Sequence, residues 1–407
     1  MKVAVVGGLA VALSGLTAEV TSGSAAAASP KSAVTPDTRA ACPETNQQGM
    51  MFCMVLVRTD VKSRSEGVFG SGKPKGYGYG PKQLQSAYKL PSSTDGAGES
   101  VAVVDAYNDP DAVSDLATYR AAWGLPACDP STGAGCLTVV NENGATSPLP
   151  PEKKSGWGIE EALDVDMVSA ICPKCKIYLV EANSGRVVDL GTGVDSAISL
   201  LHVDFVSNSY GGHQNVKDLQ YDKKYYKHPG DAIVASAGDD GYGVMYPAAS
   251  QYVTAVGGTN LRKDPGSARG WSESVWSGSG SGCSEYDPKP TWQTDTGCKN
   301  RTDNDVSAVA SPGTGVAVYD TYTADGWAEV GGTSVSSPII ASVYALAGVP
   351  AAGSYPASFP YSHTNDLYRV TTGSNGTCTP AYLCNGETGY SGPGGWGTPD
   401  GLAAFTG

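Results

Sequence analysis

An alternation of short apolar segments with helical segments restricts the fold of this chain more than any other feature. Each apolar segment is rich in Val, Ile and Ala and has the length of one buried strand, whereas helical segments or Gly-rich loops lie between them. Buried strands joined through helices form a parallel sheet. We therefore predict an α/β fold with a mostly parallel central sheet, helices on both faces, and a functional site at the carboxyl ends of the strands. Strands are predicted at residues 100–109, 176–183, 204–212, 232–241 and 252–261, and helices at 111–124, 156–166, 187–201 and 334–348.

The N-terminal residues are typical of a secretory signal peptide. One Lys precedes a mostly apolar run, and small residues that signal peptidase accepts follow it. A membrane anchor is the alternative, but the run from Val3 to Leu16 is too short to span a bilayer and contains Gly and Ser. We predict a signal peptide over residues 1–28, a short leader or pro-region over 29–78 with one strand at Met50–Val57, and the main folded domain over 79–407. The expected location is secreted and extracellular.

The charge composition disfavours two classes of partner. The net charge is −13, which argues against binding to nucleic acid or to an anionic membrane. No segment after the signal peptide approaches the length of a membrane span. We expect a monomer that has neither of these partners.

The cysteine pattern agrees with export. The chain has ten cysteines, and an even number in a secreted protein indicates disulfides. Cys172 and Cys175, in the sequence CPKC, could instead form a redox or zinc site, although no second C-x-x-C motif or nearby His completes a metal set. We predict bonds between sequence neighbours, namely Cys42–Cys53, Cys128–Cys136, Cys172–Cys175, Cys283–Cys298 and Cys378–Cys384.

The segment GGTSVSSP places Ser334 at the start of an apolar helix. Free backbone N–H groups and the helix dipole stabilise negative charge at that position. A nucleophilic serine needs such a position because an oxyanion forms beside it. Serine is also a common N-cap, so a purely structural role is the alternative at this point.

A serine nucleophile requires a base, and histidine is the usual one. None of the four histidines follows the first long strand in a setting typical of a Ser-His-Asp triad. We expect these histidines, which are His202, His213, His228 and His363, on the surface or in loops.

The segment GWGIEEALDVD offers a different base. Glu160 and Asp164 are four residues apart and therefore lie on one face of a helix. Two buried carboxyls this close share a proton, because ionising both is costly. Such a pair can take a proton from a serine hydroxyl and return it to a leaving amine in mild acid. An exposed acidic helix face is the alternative, and we expect it for Glu161 and Asp166.

A further acid, Asp239, ends a predicted strand in the Gly-flanked segment SAGDDG. In its protonated form it could donate a hydrogen bond to a developing oxyanion. The alternative is an aspartate with a structural role in a turn, where Asp is common.

Three motifs, EEALD, SAGDDG and GGTSVSSP, in this order and spacing, resemble the sedolisin family of serine-carboxyl peptidases. The resemblance covers roughly Tyr79 to the C-terminus and implies a subtilisin-like fold. It implies Ser334 as the nucleophile, Glu160 as general base and acid, Asp164 as its partner and Asp239 as the oxyanion donor. Asp105 stands where the family has an acidic residue behind the pair.

The sequence departs from the family at three places. Tyr210 stands where several members have Trp. Family members bind calcium near the C-terminus, and here Asp366 and the carbonyl of Leu367 match that site, but Ser391 stands where a second Asp is expected. Because calcium prefers carboxylate oxygens, we expect it to bind weakly or not at all. The family's large pro-domain has no room here, since only about 50 residues separate the predicted signal from Tyr79.

The expected function is hydrolysis of protein or peptide substrates through an acyl-enzyme on Ser334, with highest activity in acid. A subtilisin-type triad of Asp105, Ser334 and a remote His is one alternative. A disulfide-rich secreted binding protein without activity is the other. Glu160 at the position of the triad His argues against the first, and the presence of all four chemical groups argues against the second.

Overall fold

The computed structural model describes residues 1–5, 7, 36–61, 74, 76–128 and 136–407. The chain divides into two units, Met1–Thr35 and Pro36–Gly407, and the second holds nearly all of the described residues. Most of the predicted signal peptide lies outside the described residues. Within the described ranges, no helix is both long and apolar enough to cross a membrane.

The second unit contains the helices and strands of the described residues. The helices are α1 (Pro81–Ala87), α2 (Ala112–Trp123), α3 (Trp157–Ile171), α4 (Val187–Ser199), α5 (Asp218–Tyr221), α6 (Thr333–Ala347) and α7 (Phe359–Ser362). The strands are β1 (Thr38–Ala40), β2 (Phe52–Cys53), β3 (Leu56–Arg58), β4 (Ser100–Ala106), β5 (Leu137–Asn141), β6 (Lys176–Ala182), β7 (Phe205–Asn208), β8 (Tyr210–His213), β9 (Ala232–Ser236), β10 (Met245–Tyr246), β11 (Thr254–Lys263), β12 (Trp271–Val275), β13 (Gly282–Cys283), β14 (Thr302–Asp303), β15 (Val306–Val309), β16 (Val316–Asp320), β17 (Gly326–Gly331), β18 (Leu367–Tyr368) and β19 (Thr398–Pro399).

A central eight-stranded sheet organises the unit. Seven of its strands follow the order β12-β11-β9-β7-β4-β6-β5. The eighth strand, β15, also pairs with β11. All pairings are parallel except that of β12 with β11 at one edge. The five predicted strands and the predicted helices all correspond to elements of the structure, so the α/β prediction is confirmed.

Side-chain alternation along β4 shows how both faces of the sheet are used. Val104 packs against Gly193 of α4, where a Cβ atom would lie 3.0 Å from the valine side chain. The next residue, Asp105, points to the opposite face and interacts electrostatically with Glu160 and Asp164 of α3. Successive strand residues face opposite sides of a sheet, so α4 and α3 cover different faces. The site therefore lies on the α3 face.

Helix α3 is buried along its whole length, and the prediction of an exposed acidic face for Glu161 and Asp166 is wrong. Their side chains are 1% and 0% exposed. The helix lies among α1, α2, α6 and β16, and Asp166 accepts a hydrogen bond from the backbone N–H of Tyr319 at 3.0 Å. A sequence pattern cannot show this, because neighbours distant in sequence cover the second face.

The N-terminal part of the unit departs from the expected single strand at Met50–Val57. The segment forms two strands instead, β2 and β3, which are separated by Met54 and Val55. Strand β2 pairs with β8, and β3 joins a four-stranded sheet of order β1-β3-β17-β16. Residues 36–61 thus belong to the same compact unit as residues 79–407. The predicted leader and its maturation cut stay predictions.

Five disulfides confirm the predicted pairing of sequence neighbours. They join Cys42–Cys53, Cys128–Cys136, Cys172–Cys175, Cys283–Cys298 and Cys378–Cys384. The bonded pair in CPKC is buried, which argues against the redox and zinc alternatives. No group of three potential metal ligands occurs among the described side chains.

Candidate active site

Ser334 lies in the first turn of α6, directly after the buried strand β17. Gly332 precedes this turn with φ of 104°, a left-handed conformation that favours glycine. A Cβ atom at Gly332 would lie 2.6 Å from Asp239 Oδ2, so only glycine lets the two segments approach this closely. The tight turn places the Ser334 side chain, which is fully buried, beside the N-terminus of the helix.

The Ser334 hydroxyl contacts Glu160 of the acidic helix α3. Its Oγ lies 2.8 Å from Oε2 of Glu160 and 3.2 Å from the carbonyl oxygen of Ser209. The hydroxyl of Ser209 donates to Oδ1 of Asp164 at 2.7 Å. Ser209 thus connects the serine and the second carboxyl. Its role could not be assigned from the sequence, because serine after a strand is common. The structure therefore brings together the three predicted residues Ser334, Glu160 and Asp164.

Burial controls the charge of this pair. Both carboxyls are completely buried, and desolvation raises the pKa of Glu160 and of Asp164 well above the ordinary value. For Glu160 the negative charge of Asp164 raises the pKa further, whereas the Ser334 hydroxyl lowers it. Oε1 of Glu160 and Oδ2 of Asp164 have no hydrogen-bond partner among the described residues. An ionised carboxylate in this position would be costly, so the pair holds at least one proton near neutral pH.

Asp239 follows β9 and faces the same turn. Its Oδ1 accepts two hydrogen bonds from Thr333, from the backbone N–H at 2.7 Å and from the side-chain hydroxyl at 2.8 Å. Its Oδ2 is buried without a partner in the described part of the chain. Burial raises the pKa of Asp239 to about 7, although the bonds from Thr333 lower it. In mild acid this carboxyl is neutral and has an O–H to donate.

The family resemblance also singled out Asp105 and Tyr210, and these two residues differ in how they relate to the Glu160–Asp164 pair. Asp105 is fully buried at the end of β4, and burial raises its pKa to about 8. Tyr210 does not reach the carboxyls with a hydrogen bond: its hydroxyl donates to Oδ1 of Asn208 at 2.7 Å. Its ring instead packs against Trp157 of α3, with centroids 6.2 Å apart.

The histidines lie elsewhere. His213, His228 and His363 lie within 4 Å of Glu44, Asp195 and Asp366, respectively, and His202 is exposed. Since the Ser334 hydroxyl contacts Glu160, the geometry contradicts the alternative of a subtilisin-type triad.

The predicted calcium residues are placed near the C-terminus. Asp366 is half exposed with its Oδ2 3.6 Å from Nδ1 of His363, and Leu367 pairs with Pro399 in a short antiparallel ladder. Ser391 is buried and lies against Gly394, where a Cβ atom would be 2.9 Å from its hydroxyl. These residues do not form a carboxylate-rich cage of the kind that calcium prefers.

Known proteins are similar to this chain in sequence and in fold. The sequence profile of the subtilase family matches residues 134–356, which include Glu160, Asp164, Asp239 and Ser334. Kumamolisin of Bacillus sp. (strain MN-32) is 26% identical over 84% of the chain, and sedolisin of Pseudomonas sp. (strain 101) is 25% identical over 79%. The chain belongs to the sedolisin family of subtilases. It spans 66% of the length of kumamolisin and 60% of that of sedolisin.

A solved structure shows the same fold. It is that of Pseudomonas sedolisin, described as a serine-carboxyl proteinase, in complex with two molecules of pseudo-iodotyrostatin. It matches with a TM-score of 0.66 at 24% identity, and covers 81% of this chain and 96% of that one. The central sheet of this sedolisin-family chain is therefore subtilisin-like, as predicted.

Proposed function

We propose that this chain is a secreted serine-carboxyl endopeptidase that acts on proteins or peptides in mild acid. The contact of 2.8 Å between the Ser334 hydroxyl and Glu160 carries the proposal. The relatives named kumamolisin, sedolisin and tripeptidyl-peptidase 1 support peptide-bond hydrolysis as the reaction class. The N-terminal pattern and the five disulfides support export.

The proposed reaction follows from the contacts. Glu160 takes the proton of Ser334 as its oxygen attacks the substrate carbonyl, and Asp164 shares the proton that the pair gains. Protonated Asp239 donates to the oxyanion through Oδ2. Glu160 then gives its proton to the leaving amine, and a water molecule releases the acyl group in the reverse sequence. Asp105, neutral in acid, adds no charge behind the pair.

The proposal predicts a pH profile that falls above neutrality. Asp239 with a pKa of about 7 loses its donor as the pH rises, so the rate should decline from about pH 7 upward. Hydrolysis of a denatured protein at a series of pH values measures this, with Ser334→Ala as the inactive control. A rate that kept rising to about pH 8 would indicate a different base and contradict the proposal.

Substitution of Asp239 separates hydrogen-bond donation from charge. In Asp239→Asn the amide oxygen can still accept from Thr333, and the NH₂ group donates at every pH. We expect this variant to keep most of its acid activity and to lose the decline near pH 7, whereas Asp239→Ala should lose about 100-fold or more in kcat. If both variants lost the same amount of activity, and if their rates still declined above about pH 7 as in the wild type, Asp239 would not be the oxyanion donor.

We also propose that calcium contributes little to this fold, because Ser391 supplies a neutral oxygen where the family has a carboxylate. Excess chelator should leave the melting temperature within about 1–2 °C of the untreated protein, since a metal that binds only weakly adds little stability. Ser391→Asp should gain stability from calcium. A large loss on chelation of the unmodified protein would show that another acid completes a tight site.

A further inference from the structure

Asp222 and Asp287 form a second buried pair of carboxyls, hereafter the outer pair, which takes no part in the contacts of Ser334. The two residues are 1% and 0% exposed, and their side chains hydrogen-bond to each other. Oδ2 of Asp222 and Oδ1 of Asp287 have no other partner among the described residues. Two carboxyl groups can hydrogen-bond only when one of them carries a proton. The outer pair therefore holds a proton in this structure.

The remaining oxygens of the outer pair are held by neighbouring side chains. Oδ1 of Asp222 accepts from the hydroxyl of Tyr246 at 3.0 Å. Oδ2 of Asp287 lies 3.3 Å from the hydroxyl of Ser284, and that hydroxyl accepts from the N–H of Asp287 at 2.9 Å. Each carboxyl is thus oriented on one side, which leaves its other oxygen for the shared proton.

The surroundings oppose a second negative charge on the outer pair. The titratable and charged groups described around it are Asp218, Tyr226, Tyr246, Tyr252, Arg301 and Asp303. Arg301 is the cation in this set, and it is already bonded to Asp305 at 2.6 and 3.2 Å. Burial raises the pKa of Asp218 and of Asp303 to about 7, so both add negative charge near neutral pH. Loss of the shared proton would therefore leave two carboxylates that repel each other.

The outer pair joins two segments that are distant in sequence. Asp222 begins the π-helical turn Asp222–Tyr226, and Asp287 lies in the loop that the Cys283–Cys298 disulfide closes, hereafter the disulfide loop. Near the start of this loop, the hydroxyl of Ser284 donates to Oε1 of Gln214 at 2.6 Å. Gln214 directly follows β8. The disulfide loop is therefore held against the end of β8 and, through the outer pair, against the π-helical turn.

Strands β8 and β10, hereafter the wall, connect the outer pair with the active site. Strand β8 begins directly after Ser209, whose carbonyl oxygen lies 3.2 Å from the Ser334 hydroxyl. Strand β10 pairs with β8, with Tyr246 opposite Gly212. The hydroxyl of Tyr246 is the group that donates to Asp222. A side chain of the wall is thus bonded directly to the outer pair.

We propose that Asp222 and Asp287 are positioning residues whose shared proton holds the wall beside Ser209 in acid, and that loss of this proton at higher pH loosens the wall and weakens substrate binding. The effect on substrate rests on the proposed function.

The sign of the pH dependence follows from burial, which is the largest cause that raises the pKa of both carboxyls above the ordinary range. The folded chain keeps a proton that the unfolded chain releases near about pH 4. The stabilisation is complete below that pH and is lost as the pH rises through the folded-state value. The wall is therefore held firmly in acid and loosened in base.

Local opening can be measured without catalysis. Amide hydrogen exchange of full-length Ser334→Ala is compared at about pH 5 and about pH 8, relative to the unfolded-chain rate at each pH. The reference is helix α2, which packs against α3 and β16. We expect the protection of residues 222–226 and 284–301 to fall at least about tenfold more than that of α2, because these residues lose a local bond.

Two variants show whether the shared proton causes this extra loss. In Asp287→Asn, made in the same protein, the amide donates to Asp222 at every pH, so the extra loss should disappear. Glu285→Gln, which changes an exposed acid of the disulfide loop, is the matched control and should keep the extra loss. Asp222→Asn donates across the same contact from the other side and replaces Asp287→Asn if that variant does not fold. Equal losses in all segments, or an extra loss that persists in the Asn variant, would overturn the proposal.

The positioning role appears in KM, separately from kcat. For a denatured protein substrate, KM of the wild-type enzyme should rise at least about threefold from about pH 5 to about pH 8, and Asp287→Asn should remove this rise. The fall in kcat should remain, because Asp239 is unchanged. A rise in KM that is the same in both proteins, or no rise in the wild type, would overturn the positioning role.

Two further outcomes distinguish this inference from the proposed function. The expected exchange pattern without hydrolysis of any substrate would support the shared proton and overturn the proposed function. Hydrolysis by an enzyme whose disulfide loop shows no extra loss of protection would overturn the role of the outer pair and leave the proposed function standing.

Discussion

Glu160→Gln should lower kcat/KM for protein hydrolysis by about a thousandfold, the middle of the range for loss of a general base. Gln has the size of Glu and can still contact the Ser334 hydroxyl, but it cannot take the proton. The loss should appear in kcat, because Glu160 contacts the nucleophile rather than a remote part of the substrate. Initial rates on a denatured protein at acidic pH measure it.

The adjacent acid provides the control. Glu161 lies on the same helix and is equally buried, but the carboxyls that raise its pKa are those of Glu181, Asp105 and Asp109, in this order, and Ser334 is not among its neighbours. Glu161→Gln should therefore keep activity within about threefold of wild type, the range of a change that removes no catalytic group. Equal losses in both variants would mean that helix α3 is merely disturbed, and Glu160 would not be the base.

The free energy of unfolding should fall steeply as the pH rises from about 5 to 8. Burial raises the pKa of Asp105 and of Glu181 to about 8, and it raises the pKa of Glu161 and of Asp166 well above the ordinary range. The folded chain thus keeps protons that the unfolded chain releases near its ordinary carboxyl pKa of about 4. The stabilisation is complete below that value and is lost as the pH rises through the folded-state values. Each such group contributes about 1.4 kcal/mol per pH unit in this window.

Urea unfolding of Ser334→Ala, which cannot digest itself under the proposed mechanism, measures this loss at several pH values. We expect a slope of at least about 1.4 kcal/mol per pH unit, the value for one proton. Adding Glu161→Gln, which cannot ionise, should reduce the slope. Stability that was constant or increased from about pH 5 to 8 would show that these carboxyls are ionised in the folded state.

The sequence was sufficient for the elements whose pattern is local. The apolar run before Asp105 predicted a buried strand, and the Gly-Gly turn before Ser334 predicted the start of a helix. The four-residue spacing of Glu160 and Asp164 put both on one face of α3. What the sequence could not show depends on distant neighbours: the burial of Glu161 by elements on the far side of α3, and the position of Ser209 between two carboxyls.

The break between β2 and β3 illustrates the same limit. Residues 50–57 form one uninterrupted apolar run, and nothing in that run marks Met54 as a point where pairing stops. The break arises because β2 pairs with β8 in one sheet whereas β3 pairs with β17 in another, and these two partner strands come from parts of the chain more than 100 residues apart.

The disulfide pattern has a consequence for how the chain is oxidised. Every bond joins a cysteine to the next one along the sequence, with separations of 3 to 15 residues. An oxidase that joined cysteines in the order in which they left a translocation channel would therefore make the native set at the first attempt. Such a chain has no need for an isomerase to correct its bonds, and the long-range contacts of the parallel sheet can form around loops that are already closed.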